Sequence, residues 1–594
     1  MGQVRPDLVR VLNLYGPAYS GRLGNPDFVL PASMEEQEAW IGHVAGLPPL
    51  LEGAQRDFIT DYRNILDGFA AANGKSDACW YSALGSRNTQ NSFFYQGLEQ
   101  LWRLNQHLTR WGEGGAALGL LVPDQNLLGP IRALARSHGI KTRLRDGFAR
   151  HWLDPLRRPW GALRYLLKLC DYGRGHGDYG PKGNDALIVT VSSDELLQPE
   201  RSIRDFIFGE LPSDLVKAGC TNVMLAQLTG QIQPVAGRAH ALPPPPIRTF
   251  VDLARLGDVF FAILRAASWC PKIGLIKSSL GVHVAMLLRH DAKICRWRDL
   301  PTAFLLRGIL GRMLDQNPQA VLVHPFENNG WEHACQSAAQ ARGSVTVAFQ
   351  HNALVPSSEK MYASRYRPCP NRIVAMGKAA KAMLCDTFGY SEAMVDVGYA
   401  MRQSAIYDHV PKTVAPKKVR RILVLLQGAA DSVALINLLA DAFLDQDEYL
   451  VTLRPHPAIS LAGQLQKTKL AKIRSPFRAS KERDLYVDIF NHDVAVSVGS
   501  TAGWEAAALG VPVVHVDLGG GASNNPMFAE PALCRTAGGA KELIKALREI
   551  EKLSAHQFKA EAGCARRYFE EYFSMKTDDV FKRVVALLQG RKEG

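Results

Sequence analysis

The sequence predicts an α/β chain: two Rossmann-like parallel-sheet domains facing a cleft, with a helical N-terminal extension. Three observations predict it. Short β-branched apolar runs alternate with helical patterns along most of the chain, the signature of helices packed on parallel sheets. Polar and charged residues stand just after the predicted strands, on the edge where open α/β sheets bind ligands. The length of 594 residues and the 47% hydrophobic, 21% charged composition suit two large globular cores.

In chain order, residues 1–75 are expected to form the helical extension, with helices over 35–40 and 51–71. The first domain is expected over 76–408. Ala78 to Ser82 reads as its first strand and Asn91 to Trp111 as a long helix. Leu118 to Val122 is the next strand and ends at Asp124; a short strand over 140–144 follows its helix. Residues 150–169 are basic, with Trp, Tyr and Leu interleaved. Such a segment either packs on its own domain or lies on an anionic membrane surface. Strands are predicted over 186–191 and 222–228, with helices across 250–315. The apolar run from Val259 to Trp269 is broken by Arg265 and is too short to span a membrane, so a buried helix is expected. Strands over 320–324, 345–349 and 372–376 then deliver Glu327, the Gln350–His351 pair and Gly377 to one sheet edge.

Residues 409–419, rich in Pro and Lys, read as the linker, and 420–594 as the second domain. Its first strand ends in Gln427 and Gly428. The next ends in Arg454-Pro455-His456-Pro457. Val494 to Val498 ends in Gly499-Ser500-Thr501. There Gly499 permits a sharp turn, and the hydroxyls cap a helix whose N-terminus favours anions. Glu505 lies one turn further in. Helices are expected over 540–553 and 555–588, the last of which is expected to cross back to the first domain.

Arg454-Pro-His-Pro457, followed by Gly499-Ser-Thr-Ala-Gly-Trp-Glu505 and a helix ending Gly510-Val-Pro-Val-Val514, resembles the donor-binding domain of GT-B glycosyltransferases. It is similar to bacterial enzymes that build surface polysaccharide, including the His-Pro-containing sialyl- and Kdo-transferases. His324-Pro-Phe-Glu-Asn-Asn-Gly-Trp-Glu332, Val345 to His351 and Pro370 to Gly377 resemble a surface-carbohydrate family of the O-antigen type. The resemblance implies a GT-B-like fold and transfer from a nucleotide sugar to a glycan or lipid-linked acceptor. The His-Pro element leans towards a CMP-linked acidic sugar such as Kdo, with UDP and GDP sugars open.

Such chemistry needs a stabilised leaving phosphate and a base for the acceptor hydroxyl. Gln427, Gly428, Arg454, His456, Pro457, Gly499, Ser500 and Thr501 are the expected donor-binding residues, with Glu505 on the ribose. His456 is also placed to protonate the leaving phosphate. Glu327 is the first candidate for base or nucleophile and His351 the second; Asp124 is weaker. Glu332 reads as a surface residue of its helix. Glu327 has an alternative role as a cap of that helix.

No cofactor is expected. No metal is expected either, since no Asp-x-Asp stands at a strand end. The formal charge of +13, from 70 Lys plus Arg against 57 acidic residues, favours anionic partners. No nucleic-acid module is present. The ten cysteines show no paired spacing, and there is no apolar leader segment. A cytoplasmic protein, either soluble or peripheral at the inner face of the plasma membrane, is expected. A sugar-nucleotide epimerase, a polyol-phosphate transferase, or a non-catalytic glycan-binding scaffold are the alternatives on the same framework.

Overall fold

The computed structural model describes residues 10–13, 45–46, 50, 52–87, 89, 92–111, 118–122, 125–139, 142–146, 185–192, 205, 207–228, 246–249, 253–355, 358, 369–427, 431–456, 461–466, 468–482, 484–518 and 533–589. Asp124, the basic segment 150–169, Gly428 and Pro457 lie outside them.

The strands fall into three all-parallel sheets. The small sheet holds β1 (Arg10–Asn13), β2 (Ala45–Gly46), β3 (Leu118–Val122) and β4 (Thr142–Asp146), in the order β2-β1-β3-β4. Residues 1–75 are therefore not only a helical extension. They give two strands as well as the helix Glu52–Asn73, and β1 pairs with β3 in register Arg10 to Leu118. A second correction concerns residues 78–82. Asp77–Tyr81 is a helix, and Ala78, Cys79, Trp80 and Tyr81 are all buried. An apolar run buried on every side has no alternation to separate helix from strand.

The seven-stranded sheet holds β5 (Ala186–Ser192), β6 (Asn222–Leu228), β7 (Ile247–Thr249), β8 (Val321–Pro325), β9 (Thr346–Phe349), β10 (Arg372–Ala375) and β11 (Val395–Val397). Their order is β11-β10-β9-β8-β5-β6-β7. From β5 the chain winds first towards β7, then returns to the other side at β8. The order thus reverses between β5 and β8. The six-stranded sheet holds β12 (Arg421–Leu425), β13 (Leu450–Arg454), β14 (Phe477–Ala479), β15 (Val494–Ser497), β16 (Val513–Val516) and β17 (Cys534–Ala537). It runs β14-β13-β12-β15-β16-β17 and reverses between β12 and β15. This is the doubly wound order in which ligands bind beyond the carboxyl ends at the reversal. Strands buried on both faces explain the Val-, Leu- and Ile-rich runs of β8, β12 and β15.

The helices Ala555–Tyr572 and Asp578–Leu588 cross back from the six-stranded sheet to the seven-stranded one. Trp504, fully buried, packs against Tyr572 and Phe573 at 4.6 and 5.0 Å between ring centroids. Val584 and Leu588 join the core that Ile188, Phe208 and Phe349 form on one face of the seven-stranded sheet. Lys576 pairs with Asp214 at 2.6 Å. Gly377, at the end of β10, admits this crossing closely: a Cβ there would stand 2.3 Å from the Tyr572 carbonyl oxygen. The linker is seated too. Lys412 donates its backbone N–H to Leu509 at 2.8 Å. Gly510, at φ +73°, leaves room for the Lys412 carbonyl.

The helix Leu256–Ser268 also departs from expectation. Val259, Ala262 and Ala266 face the core, but Leu256, Phe260, Phe261 and Leu264 are exposed.

Candidate active site

The loop after β8 stands at the reversal of the seven-stranded sheet and presents Glu327. Its form is set by Glu332, in the first turn of the helix Gly330–Gln340. Glu332 is 1% exposed, not a surface residue. Its carboxylate accepts the backbone N–H of Glu327 at 3.0 Å and of Asn328 at 2.9 Å, and the Asn329 amide at 2.9 Å. Asn328 takes φ 68°, a left-handed conformation that Asn tolerates. Gly330 is required because a Cβ would stand 2.0 Å from the Tyr81 carbonyl oxygen. Burial, reinforced by the charge of Glu327, pushes the Glu332 carboxyl up to about 8 despite these donors.

Glu332 thus fixes the loop that leads into the helix, and the Glu327 side chain is turned to a different set of partners. Its Oε1 stands 3.1 Å from Nε2 of His351. Its Oε2 accepts the Asn329 amide at 3.1 Å, and Asn352 donates to Oε1. His351 follows β9 and is buried, while Glu327 is about a quarter exposed. Gln350 accepts the Met376 N–H at 2.9 Å and ties the ends of β9 and β10 together beneath the pair. Nδ1 of His351 is buried and has no hydrogen-bond partner among the described residues. Burial holds the imidazole below its ordinary range; Glu327 opposes this and Arg402 adds to it.

On the six-stranded sheet, Gln427 follows β12, His456 follows β13 and Gly499 follows β15, three adjacent strands. Gln427 lends its carbonyl to Ser432 and Gln464. Gly499 takes φ 151°. Ser500 is the N-cap of Thr501–Ala508, its hydroxyl accepting the Ala502 N–H at 3.3 Å. Thr501 opens that helix, and Gly503 lets it close on β15, since a Cβ would stand 2.8 Å from Ser497 Oγ. Glu505 is buried and accepts the Tyr486 hydroxyl at 2.9 Å. Burial pushes its carboxyl up to about 7, against the lowering by Tyr486 and Arg402.

Arg454 is held elsewhere. Its guanidinium pairs with buried Asp488 and donates to the carbonyls of Glu482 at 3.0 Å and Asp484 at 3.4 Å. It fixes the start of the helix Leu485–Phe490. A different cation bears on both halves. Arg402, a few residues past β11, acts electrostatically on Asp205 and His351 of the first sheet and on His456 and Glu505 of the second. His456 is half-buried and is held below its ordinary range by burial and then by Arg402. The sequence carried a faint signal of Arg402, a cation soon after the Val395–Val397 strand and Gly398. It carried none for Asn352 or Tyr486.

Two doubly wound parallel sheets, bridged by the final helices, define a GT-B-like architecture, with the candidate residues at the carboxyl ends of the strands. No protein-family model matches the chain, and no curated protein matches it. Among solved structures it is similar to a kitacinnamycin glycotransferase, at 13% identity over 69% of this chain and 99% of that one, with a TM-score of 0.39. It is also similar to MurG of Acinetobacter baumannii, at 13% identity over 68% and 99%, with a TM-score of 0.37. A third is the UDP-GlcNAc 2-epimerase of Neisseria meningitidis, solved with UDP-GlcNAc, at 10% identity over 68% and 100%, with a TM-score of 0.38. Likenesses of this size leave the chemistry to be argued from the residues themselves.

Proposed function

We propose that the chain is a glycosyltransferase that moves a sugar from a nucleotide donor to a glycan or lipid-linked acceptor of a bacterial surface polysaccharide. The observation that carries this is the Glu327–His351 pair on one sheet, related through Arg402 to His456 and Glu505 on the other. The donor phosphate would sit against the Gly499-Ser500-Thr501 turn, where helix N–H groups and hydroxyls meet it. Arg402, rather than the neutralised Arg454, would offset its charge. Glu505 would hold the ribose, and His456 would donate to the departing phosphate. Across the cleft Glu327 would take the acceptor proton, oriented by His351 and Asn352. No step in this scheme needs a metal. A CMP-linked acidic sugar is the proposed donor, on the resemblance of Arg454-Pro-His-Pro457 to the His-Pro element of sialyl- and Kdo-transferases.

The test is a thermal-shift panel of CMP, UDP, GDP and their sugars, without added metal, on wild type and His456→Ala. A ligand bound only by the folded state raises Tm by mass action. A rise with one nucleotide, lost in the variant, supports the donor site. Release of a free or altered sugar without acceptor would instead favour epimerase chemistry, and no response to any nucleotide would favour a glycan-binding scaffold.

A further inference from the structure

The helix Leu256–Ser268 is apolar on two sides. One side is core. On the other, Leu256, Phe260 and Leu264 recur at helical spacing, with Phe261 beside them. Phe260 and Phe261 are 59% and 61% exposed, and Leu275, in the segment that follows, is 87% exposed. Bulky apolar groups gathered in this way on a surface mark an interaction site. Along this stretch of chain the charge is mostly positive. From residue 255 to residue 289 the only carboxylates in the sequence before Asp291 are those of Asp258. Arg312 already pairs with it at 2.6 Å. Arg255, Arg265, Lys272, Lys277 and Arg289 lie on the same stretch and are all exposed.

The surface is also firmly built. Asn73 fastens the chain after the helix by exchanging hydrogen bonds with the backbone of Lys272, at 3.0 and 2.7 Å. Arg289 donates to the Ile273 carbonyl at 3.2 Å. The exposed side chains therefore stand on fixed backbone, not on a loose tether.

We infer that this face docks on the surface of an anionic phospholipid bilayer, with Phe260, Phe261 and Leu264 entering the headgroup boundary and the surrounding Arg and Lys meeting lipid phosphates. Charge selects this occupant. A second copy of the same face would bring five cations against five. The chain's own basic segment over 150–169 would be repelled in the same way. An anionic bilayer supplies the opposite charge and an apolar interior together. Among the described residues no helix is long and apolar enough to cross a membrane, so the contact is peripheral. The inference does not depend on the proposed transfer chemistry.

The test is co-sedimentation of the full chain with vesicles of POPC alone and of POPC with POPG at 3:1, in low salt. Binding to the POPG vesicles should exceed that to POPC by about tenfold or more and should weaken as salt rises. Phe260→Ser/Phe261→Ser should reduce it by about tenfold with Tm unchanged, because both rings are solvent-exposed. If that variant misfolds, Arg265→Glu/Lys272→Glu/Lys277→Glu should abolish the POPG preference instead. Wild type that ignores POPG vesicles, or folded variants that bind them as wild type does, would overturn the inference. So would sedimentation velocity showing a wild-type dimer that the Phe260→Ser/Phe261→Ser change dissolves, which would assign the face to a second copy.

Discussion

Nε2 of His351 stands 3.1 Å from Oε1 of Glu327, joining the ends of β8 and β9. The imidazole is buried and the carboxylate is partly open, so the pair has one side fixed in the protein and one turned outward. If Glu327 is the base, Glu327→Gln keeps the volume and removes the proton acceptor. Turnover should fall by roughly two to four orders of magnitude, with nucleotide binding retained. Single-turnover assays beside nucleotide titration check this; near-normal turnover would sink the assignment.

Arg402 disfavours the protonated form of both His351 and His456. Removing that cation should let both imidazoles protonate at higher pH, and should push Glu505 still further up. Proton NMR titration of the two histidines in Arg402→Ala should show both midpoints moving upward. Unmoved midpoints would place Arg402 outside the cleft.

Glu332 makes the fold's stability depend on pH. Its carboxyl sits at about 8 in the folded chain against an ordinary 4.5. The folded state holds this proton more tightly than the unfolded chain does. The contribution is therefore full below pH 4.5 and is lost as pH rises through about 8. Glu332→Gln cannot titrate, so its Tm should decline less than that of wild type on going from about pH 5 to about pH 9. Parallel melting curves for the two proteins would refute this.

Arg454 pairs with buried Asp488, so its removal should register in stability. Arg454→Ala leaves the Asp488 carboxylate buried with Ser480 as a remaining partner. The loss expected is about 3 kcal/mol, the scale of a buried pair broken on one side, read from urea unfolding. A normal midpoint together with lost nucleotide binding would return Arg454 to the donor site.

Much of the architecture was legible in the sequence because parallel strands buried on both faces read as bare apolar runs, as β8, β12 and β15 do. Their carboxyl ends located Glu327, His351, His456 and the Gly499-Ser500-Thr501 turn. The rest depended on contacts remote in sequence. Asp488 neutralises Arg454 across 34 positions. The small sheet rests on Arg10–Asn13 pairing with Leu118–Val122, and a four-residue strand is too short to show a period. Glu332 folds back under a left-handed turn at Asn328 to hold the Glu327 and Asn328 N–H groups, a backbone choice that the sequence leaves open.

The crossing of the two final helices has a consequence for how the chain is made. Residues 578–588 complete one face of a sheet whose first strand begins at residue 186. A ribosome emits those residues almost four hundred positions after the strand they cover. Through that interval Ile188, Phe208 and Phe349 lack part of their final covering, an apolar surface of the kind that chaperones hold during synthesis.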